Sequence, residues 1–164
     1  MQEVIKQKLW QMKLHGMRHA YETVLESKRP ESITHDELIG LLVQAEWEDR
    51  EGRKMNRYLK GARFRYQASI EEIDFAKARN LDKTQLLRLA DGSFIKKRED
   101  LLICGPSGVG KSFIASALGH QGCQLGYRVL YFNAQKLFTR LKMAKGDGSY
   151  YKEVSKIEKY DLLI

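Results

Sequence analysis

The chain has 164 residues, 43% of them hydrophobic and 30% charged, with two prolines and two cysteines. This is the composition of a soluble globular protein, long enough for a small helical domain and part of an α/β domain, and no apolar run reaches membrane-spanning length. The start, Met1-Gln2-Glu3-Val4-Ile5-Lys6, lacks a signal-peptide layout, so cytoplasmic residence is the default, and a net charge of +8 allows a polyanionic partner without requiring one.

Residues 3 to about 28 read as one helix, because Ile5, Leu9 and Met12, then Met17, Tyr21 and Val24, follow the spacing of an apolar face. Pro30 stops it. A second helix opens at Thr34, where Glu37 completes a capping box, and runs to about Leu59 or Phe64 with Gly52 and Gly61 as weak points. A short loop between the two predicts an antiparallel helical hairpin.

From Gln67 to Arg98 the pattern changes to that of a connector. Ser69 with Glu72 suggests a capped turn, a further helix begins near Asp82, and Asp91-Gly92 closes it. Lys96-Lys97-Arg98 reads as a solvated basic run. From Asp100 the pattern is βαβα: an apolar strand at Leu101 to Cys104, a helix from Lys111 to Leu125, and a second strand at Val129 to Phe132. Asn133 caps a helix carrying Leu137, Phe138 and Leu141, Gly146 to Ser149 form a turn, and another helix runs from Tyr150 to about Glu158. A third strand starts at Asp161-Leu162-Leu163-Ile164. Gly119 and Gly122 predict close packing of helix on sheet, and Cys104 and Cys123 are expected as small buried residues. The fold class is therefore α/β with a parallel sheet.

Gly105-Pro106-Ser107-Gly108-Val109-Gly110-Lys111-Ser112 fits the phosphate-loop pattern without a mismatch. Its glycines let the loop curl so that backbone N–H groups approach phosphate oxygens, and the following helix adds its positive end. Lys111 is placed to reach the β- and γ-phosphates of ATP, and the Ser112 hydroxyl to ligate Mg²⁺. The acidic centre that such a site also needs is expected at the carboxyl end of the third strand, beyond Ile164, so the pocket reads as half-encoded and the chain as truncated. Asp161, at the other end of that strand, is read as a strand-edge residue.

Arg50, Arg53, Lys54, Arg57, Lys60, Arg63 and Arg65, with Tyr58, Phe64 and Tyr66 among them, form a candidate phosphate-tracking surface for DNA. The alternative is a solvated helix face whose cations pair with Glu46, Glu48 and Asp49. Lys136, Arg140, Lys142 and Lys145, followed by Tyr150, Tyr151 and Lys152, are a second candidate, or the basic outer side of an amphipathic helix. The four histidines lack the company of a metal site.

Six segments, the phosphate loop and its continuation to Ala115 among them, carry a resemblance. They are Lys13 to Tyr21, Glu46 to Glu51, Ile70 to Phe75, Gly105 to Ala115, Gly126 to Tyr131 and Asp147 to Tyr150. In this order the chain resembles the IstB family, the helper ATPases of insertion-sequence transposition, related to the helicase loader DnaC within the AAA+ ATPases. The resemblance implies an N-terminal helical domain over 1–66, a connector over 67–98 and the first part of an AAA+ domain over 99–164. It further implies ATP and Mg²⁺ as cofactors, DNA bound largely without regard to sequence, a transposase as partner, and homo-oligomers for a complete member. Members of the family continue past the position of Ile164 into a strand ending in paired aspartates. Two other readings stand beside this one: a helicase loader, and a fragment that binds without hydrolysing.

Overall fold

The computed structural model describes residues 1–27, 33–75 and 81–164. The chain separates into two compact units, Met1–Lys54 and Met55–Ile164.

The first unit begins with α1 (Gln2–Gln11) and α2 (His15–Glu26), where the hydrophobic spacing predicts one helix. Lys13 breaks it by taking the left-handed conformation at φ 58°. Its N–H donates to the Trp10 carbonyl and that of Leu14 to Leu9, both at 2.9 Å, which is the paired bonding that closes a helix at a left-handed residue. The sequence does hold a trace of the break, because Met12 and Met17 are five apart and the apolar face loses phase there. Pro30, the expected stop, lies outside the described residues. α1 packs on α2 through an edge contact of Trp10 with His15, ring centroids 4.8 Å apart, and Arg18 sits 5.2 Å over the Trp10 ring.

α3 (His35–Ala62) opens with the predicted capping box. The Glu37 N–H donates to the Thr34 hydroxyl at 3.3 Å, and the Thr34 N–H donates to the Glu37 carboxylate at 2.8 Å. α2 has no side-chain cap of its own. Glu46 of α3 supplies one from outside: its carboxylate accepts from the N–H groups of Gly16 at 3.0 Å and Met17 at 3.2 Å. Gly16 permits the approach, since a Cβ there would lie 2.3 Å from the Ala45 carbonyl oxygen.

The second unit is built around α6 (Lys111–Gln124), whose Ser116 to Gly119, Gly122 and Cys123 are all buried. One flank holds Ala117 and Leu118 against Ala68, Ile70, Ile73 and Leu86. The segment read as a connector thus contributes part of the core. It holds the predicted turn, with the Ser69 N–H donating to Glu72 at 3.1 Å, and α4 (Lys83–Ala90), capped by Asp82 through the Thr84 N–H at 2.8 Å. Lys96 and Lys97, expected in a solvated basic run, are exposed at the end of the short helix α5 (Ser93–Lys97), where buried Phe94 and Ile95 fasten the turn.

The other flank of α6 meets a cluster of Ala62, Cys123 and Val129, against which Phe64, Leu162 and Ile164 pack. Here β1 (Val129–Leu130) pairs in parallel with β2 (Leu162–Leu163), Val129 opposite Leu162 and Leu130 opposite Leu163. Between them in sequence lie α7 (Ala134–Gly146), capped by Asn133, and α8 (Tyr150–Ile157). Added Cβ atoms would lie 2.5 Å from Ile164 at Gly119 and 3.3 Å from Val129 at Gly122, so the expected close packing of helix on sheet is present.

Leu101 to Cys104, expected as the first strand, is not one. A strand is defined by its ladder, and among the described residues this segment has no strand partner. A cleft of about 430 Å³, floored by Phe94, Ile95, Ala115 and Leu118, lies between it and β2. Cys104 is accordingly exposed and not buried, while Cys123 is buried as expected.

Candidate functional site

Gly105 to Gly110 form a loop, exposed as far as Gly108 and half-buried at Val109 and Gly110, that feeds directly into α6. Gly108 and Gly110 take φ values of 84° and 94°, a region that side chains with a Cβ occupy at a cost. Gly110 is the N-cap residue of α6, and no side chain covers the first turn. The N–H groups of Lys111, Ser112 and Phe113 belong to the set that a helix cannot satisfy internally, so they face the loop as donors. Both flanks of α6 are packed, which fixes where that end points.

Lys111 arches back over the loop. Its ammonium donates to the carbonyls of Gly105 at 2.9 Å and Pro106 at 2.6 Å. Both acceptors are neutral, so the full positive charge remains within the curl of the loop. Ser112 is half-buried, and its carbonyl accepts from the buried Ser116 hydroxyl at 2.8 Å. Pro106, Ser107 and Val109 complete the rim. A ring of backbone donors, one ammonium and the positive end of a fourteen-residue helix suits an anion of phosphate geometry. The donor set fits a nucleotide phosphate chain, with the Ser112 hydroxyl as the loop's oxygen for a divalent cation. Among the described residues no cluster of three metal-ligating side chains occurs.

Asp161 is a fastening at the start of the sheet. Its carboxylate accepts from the Arg128 N–H at 2.7 Å, and its own N–H donates to the Arg128 carbonyl at 2.7 Å. It shares the wall of the cleft with Arg98 to Leu101, where the segment leading to the loop begins.

The basic residues separate into two sets. Arg50 pairs with Glu46 at 2.7 Å and Lys54 with Glu51 at 3.4 Å. Arg53 lies 2.8 Å from Asp49, near enough for an ion pair without hydrogen-bond alignment, and 3.5 Å from Glu46. Glu46 is 6% exposed. Burial pushes its carboxyl pKa up, but Arg50 and the N–H groups of Met17 and Gly16 outweigh this and hold it below the usual value. Arg57, Lys60 and Arg63 carry no ion pair among the described residues. Arg140 pairs with Glu153, and Lys136 is exposed at the start of α7.

Arg63 and Arg140 line one concavity of about 240 Å³, together with Arg128, Lys156 and Lys159. Sequence reasoning placed Arg63 and Arg140 in separate patches and passed over the other three. No local signal joins them, because they come from the end of α3, the start of β1, α7, α8 and the turn after α8.

The fold is that of an α/β protein whose loop suits an anion of phosphate geometry. Residues 7–164 match the profile of the IstB-like ATP binding protein family, and the chain belongs to that family. It is 41% identical over 143 residues to a putative insertion sequence ATP-binding protein of Sinorhizobium fredii, covering 87% of this chain and 58% of that protein. It is 38% identical over 157 residues to the IS1162 putative ATP-binding protein of Pseudomonas fluorescens, covering 95% and 68%. With the IS21 putative ATP-binding protein of Pseudomonas aeruginosa identity is 28% over 156 residues, 95% of this chain and 59% of the relative. The chain thus spans roughly three fifths of the length of these relatives. No helix among the described residues is long and apolar enough to cross a membrane.

Proposed function

We propose that this chain is an ATP-binding and DNA-binding helper of transposition. Gly105, Pro106, Ser107, Gly108, Val109 and Gly110 would wrap the phosphates of ATP, with Lys111 neutralising the β- and γ-phosphates and Ser112 holding Mg²⁺. When bound, the cation supplies charge neutralisation on the phosphate chain. The carrying observation is the uncapped first turn of α6, with Lys111 lying inside the loop against two neutral carbonyls.

Family membership supports the rest of the reading: assembly on target DNA, self-association of the ATPase unit and stimulation of a transposase. It also supports treating the second unit as part of an AAA+ sheet domain preceded by a helical domain. Lys111→Ala should weaken ATP binding by at least about tenfold, the worth of one charge-assisted contact of roughly 1.5–3 kcal/mol. Calorimetric titration with MgATP reads this, and an unchanged affinity refutes the assignment. Coprecipitation with the transposase of the same insertion element, compared with a replicative helicase, tests the partner; capture of the helicase alone would favour a loader.

A further inference from the structure

Two concavities on the second unit share a wall. The first, of about 240 Å³, holds Arg63, Arg128 and Lys159 on its surface. The second, of about 220 Å³, is lined by Arg57, Tyr58, Arg128 and Tyr160. Arg128 and Tyr160 belong to both, so the two form one continuous groove. The side chains of Arg57, Arg63, Arg128 and Lys159 have no carboxylate partner among the described residues. The single carboxylate in the lining, Glu153, is committed to Arg140 and Lys156.

Two guanidinium groups are held in place without being neutralised. Arg57 lies 5.9 Å from the centre of the Tyr58 ring and Arg128 lies 5.4 Å from that of Tyr160. A contact with a ring face restrains the side chain but leaves its charge and its N–H fork unspent. The Arg128 backbone is locked to Asp161, which fixes the root of the shared wall. Arg63 stands in the left-handed conformation at φ 57°, where α3 ends and the chain turns towards the second unit's core.

We infer that this groove is the seat of the DNA phosphate backbone, with Arg57, Arg63, Arg128 and Lys159 as the contacting groups. The inference rests on the DNA-binding reading above and locates it. Each concavity has room for a phosphodiester unit and lies open to solvent, which suits a polymer passing along a surface. Unneutralised guanidinium forks match tetrahedral phosphate oxygens. Arg50, Arg53 and Lys54 are less favoured for the contact because Glu46, Asp49 and Glu51 already offset part of their charge.

The test is fluorescence anisotropy of a short labelled duplex through a NaCl titration. The variant is Arg63→Gln, Arg128→Gln and Lys159→Gln combined, with Lys96→Gln and Lys97→Gln on α5 as the control. For the triple variant, the slope of log K against log[NaCl] should fall by about 2–3, near 0.9 for each phosphate left unneutralised, with affinity reduced at least about tenfold. The control should keep the wild-type slope. The matching lysine variants, Arg63→Lys with Arg128→Lys, retain charge and should retain most of the slope, which separates an electrostatic effect from a folding defect. ATP affinity of the triple variant should match wild type. An unchanged slope in a triple variant that melts like wild type overturns the groove while leaving DNA binding intact. Wild-type protein that binds no duplex overturns both readings. Displacement of duplex by poly-glutamate of equal charge, as effective as by unlabelled DNA, overturns the assignment in favour of an acidic protein partner.

Discussion

Neighbouring atoms decide how individual residues behave, and the two cysteines make this concrete. Cys123 is fully buried on α6 against Val129, and burial pushes its thiol up to about 11. Cys104 is exposed. Thiol titration near neutral pH should therefore label Cys104 promptly and Cys123 only after denaturation; equal rates in the folded protein would contradict the placement. Cys104 and Cys123 look alike in a sequence, each a small apolar residue in an element expected to pack. The difference arises because one element finds packing partners on both flanks and the other borders a cleft.

Glu46 shows how a side chain on one element can complete another. The first turn of α2 has no cap in its own sequence and takes one from α3, thirty residues away at Gly16. Glu46→Ala leaves two helix N–H groups and a paired arginine without their acceptor, and should cost about 2 kcal/mol, read by urea unfolding. The folded carboxyl pKa is lowered, so this stability is fully present above the unfolded value and lost as pH falls through the folded one. Below that range wild type and Glu46→Ala should converge. Gly119 makes a similar point for α6. Valine there would drive side-chain atoms into Ile164 and the Phe64 ring, at about 1–3 kcal/mol, even though valine is the better helix former.

At the scale of the molecule, ligand binding and folding are linked. Saturating MgATP at a hundredfold excess over its dissociation constant should stabilise the protein by about 2.7 kcal/mol, seen as a raised melting temperature. Lys111→Ala should show a much smaller shift under the same conditions. The part of the site that predicts this was legible in the chain, because a phosphate loop is a local device. Its glycines, lysine and serine stand at fixed offsets and the helix that orients them follows at once. The capping box at Thr34, the caps at Asn133 and Asp82 and the closing glycine at Gly92 were legible for the same reason: each needs only neighbours two to four residues away.

What the sequence determined by itself is the set of short-range decisions: where most helices start and stop, which loop can cradle phosphate, and which family the whole pattern resembles. The tertiary structure alone decided which basic residues gather around one concave surface. Arg50, Arg53 and Lys54 pair with carboxylates three or four residues away, an alternative the sequence itself offered, whereas Arg57 and Arg63 are brought beside Arg128 and Lys159 from distant parts of the chain. It also decided that Leu101 to Cys104 lies beside a cleft, outside the two-stranded ladder, and that a connector becomes core. The physical reason is common to all three. The gathering of cations, strand pairing and burial depend on atoms brought together from distant positions, and their separation in sequence leaves no periodicity to read.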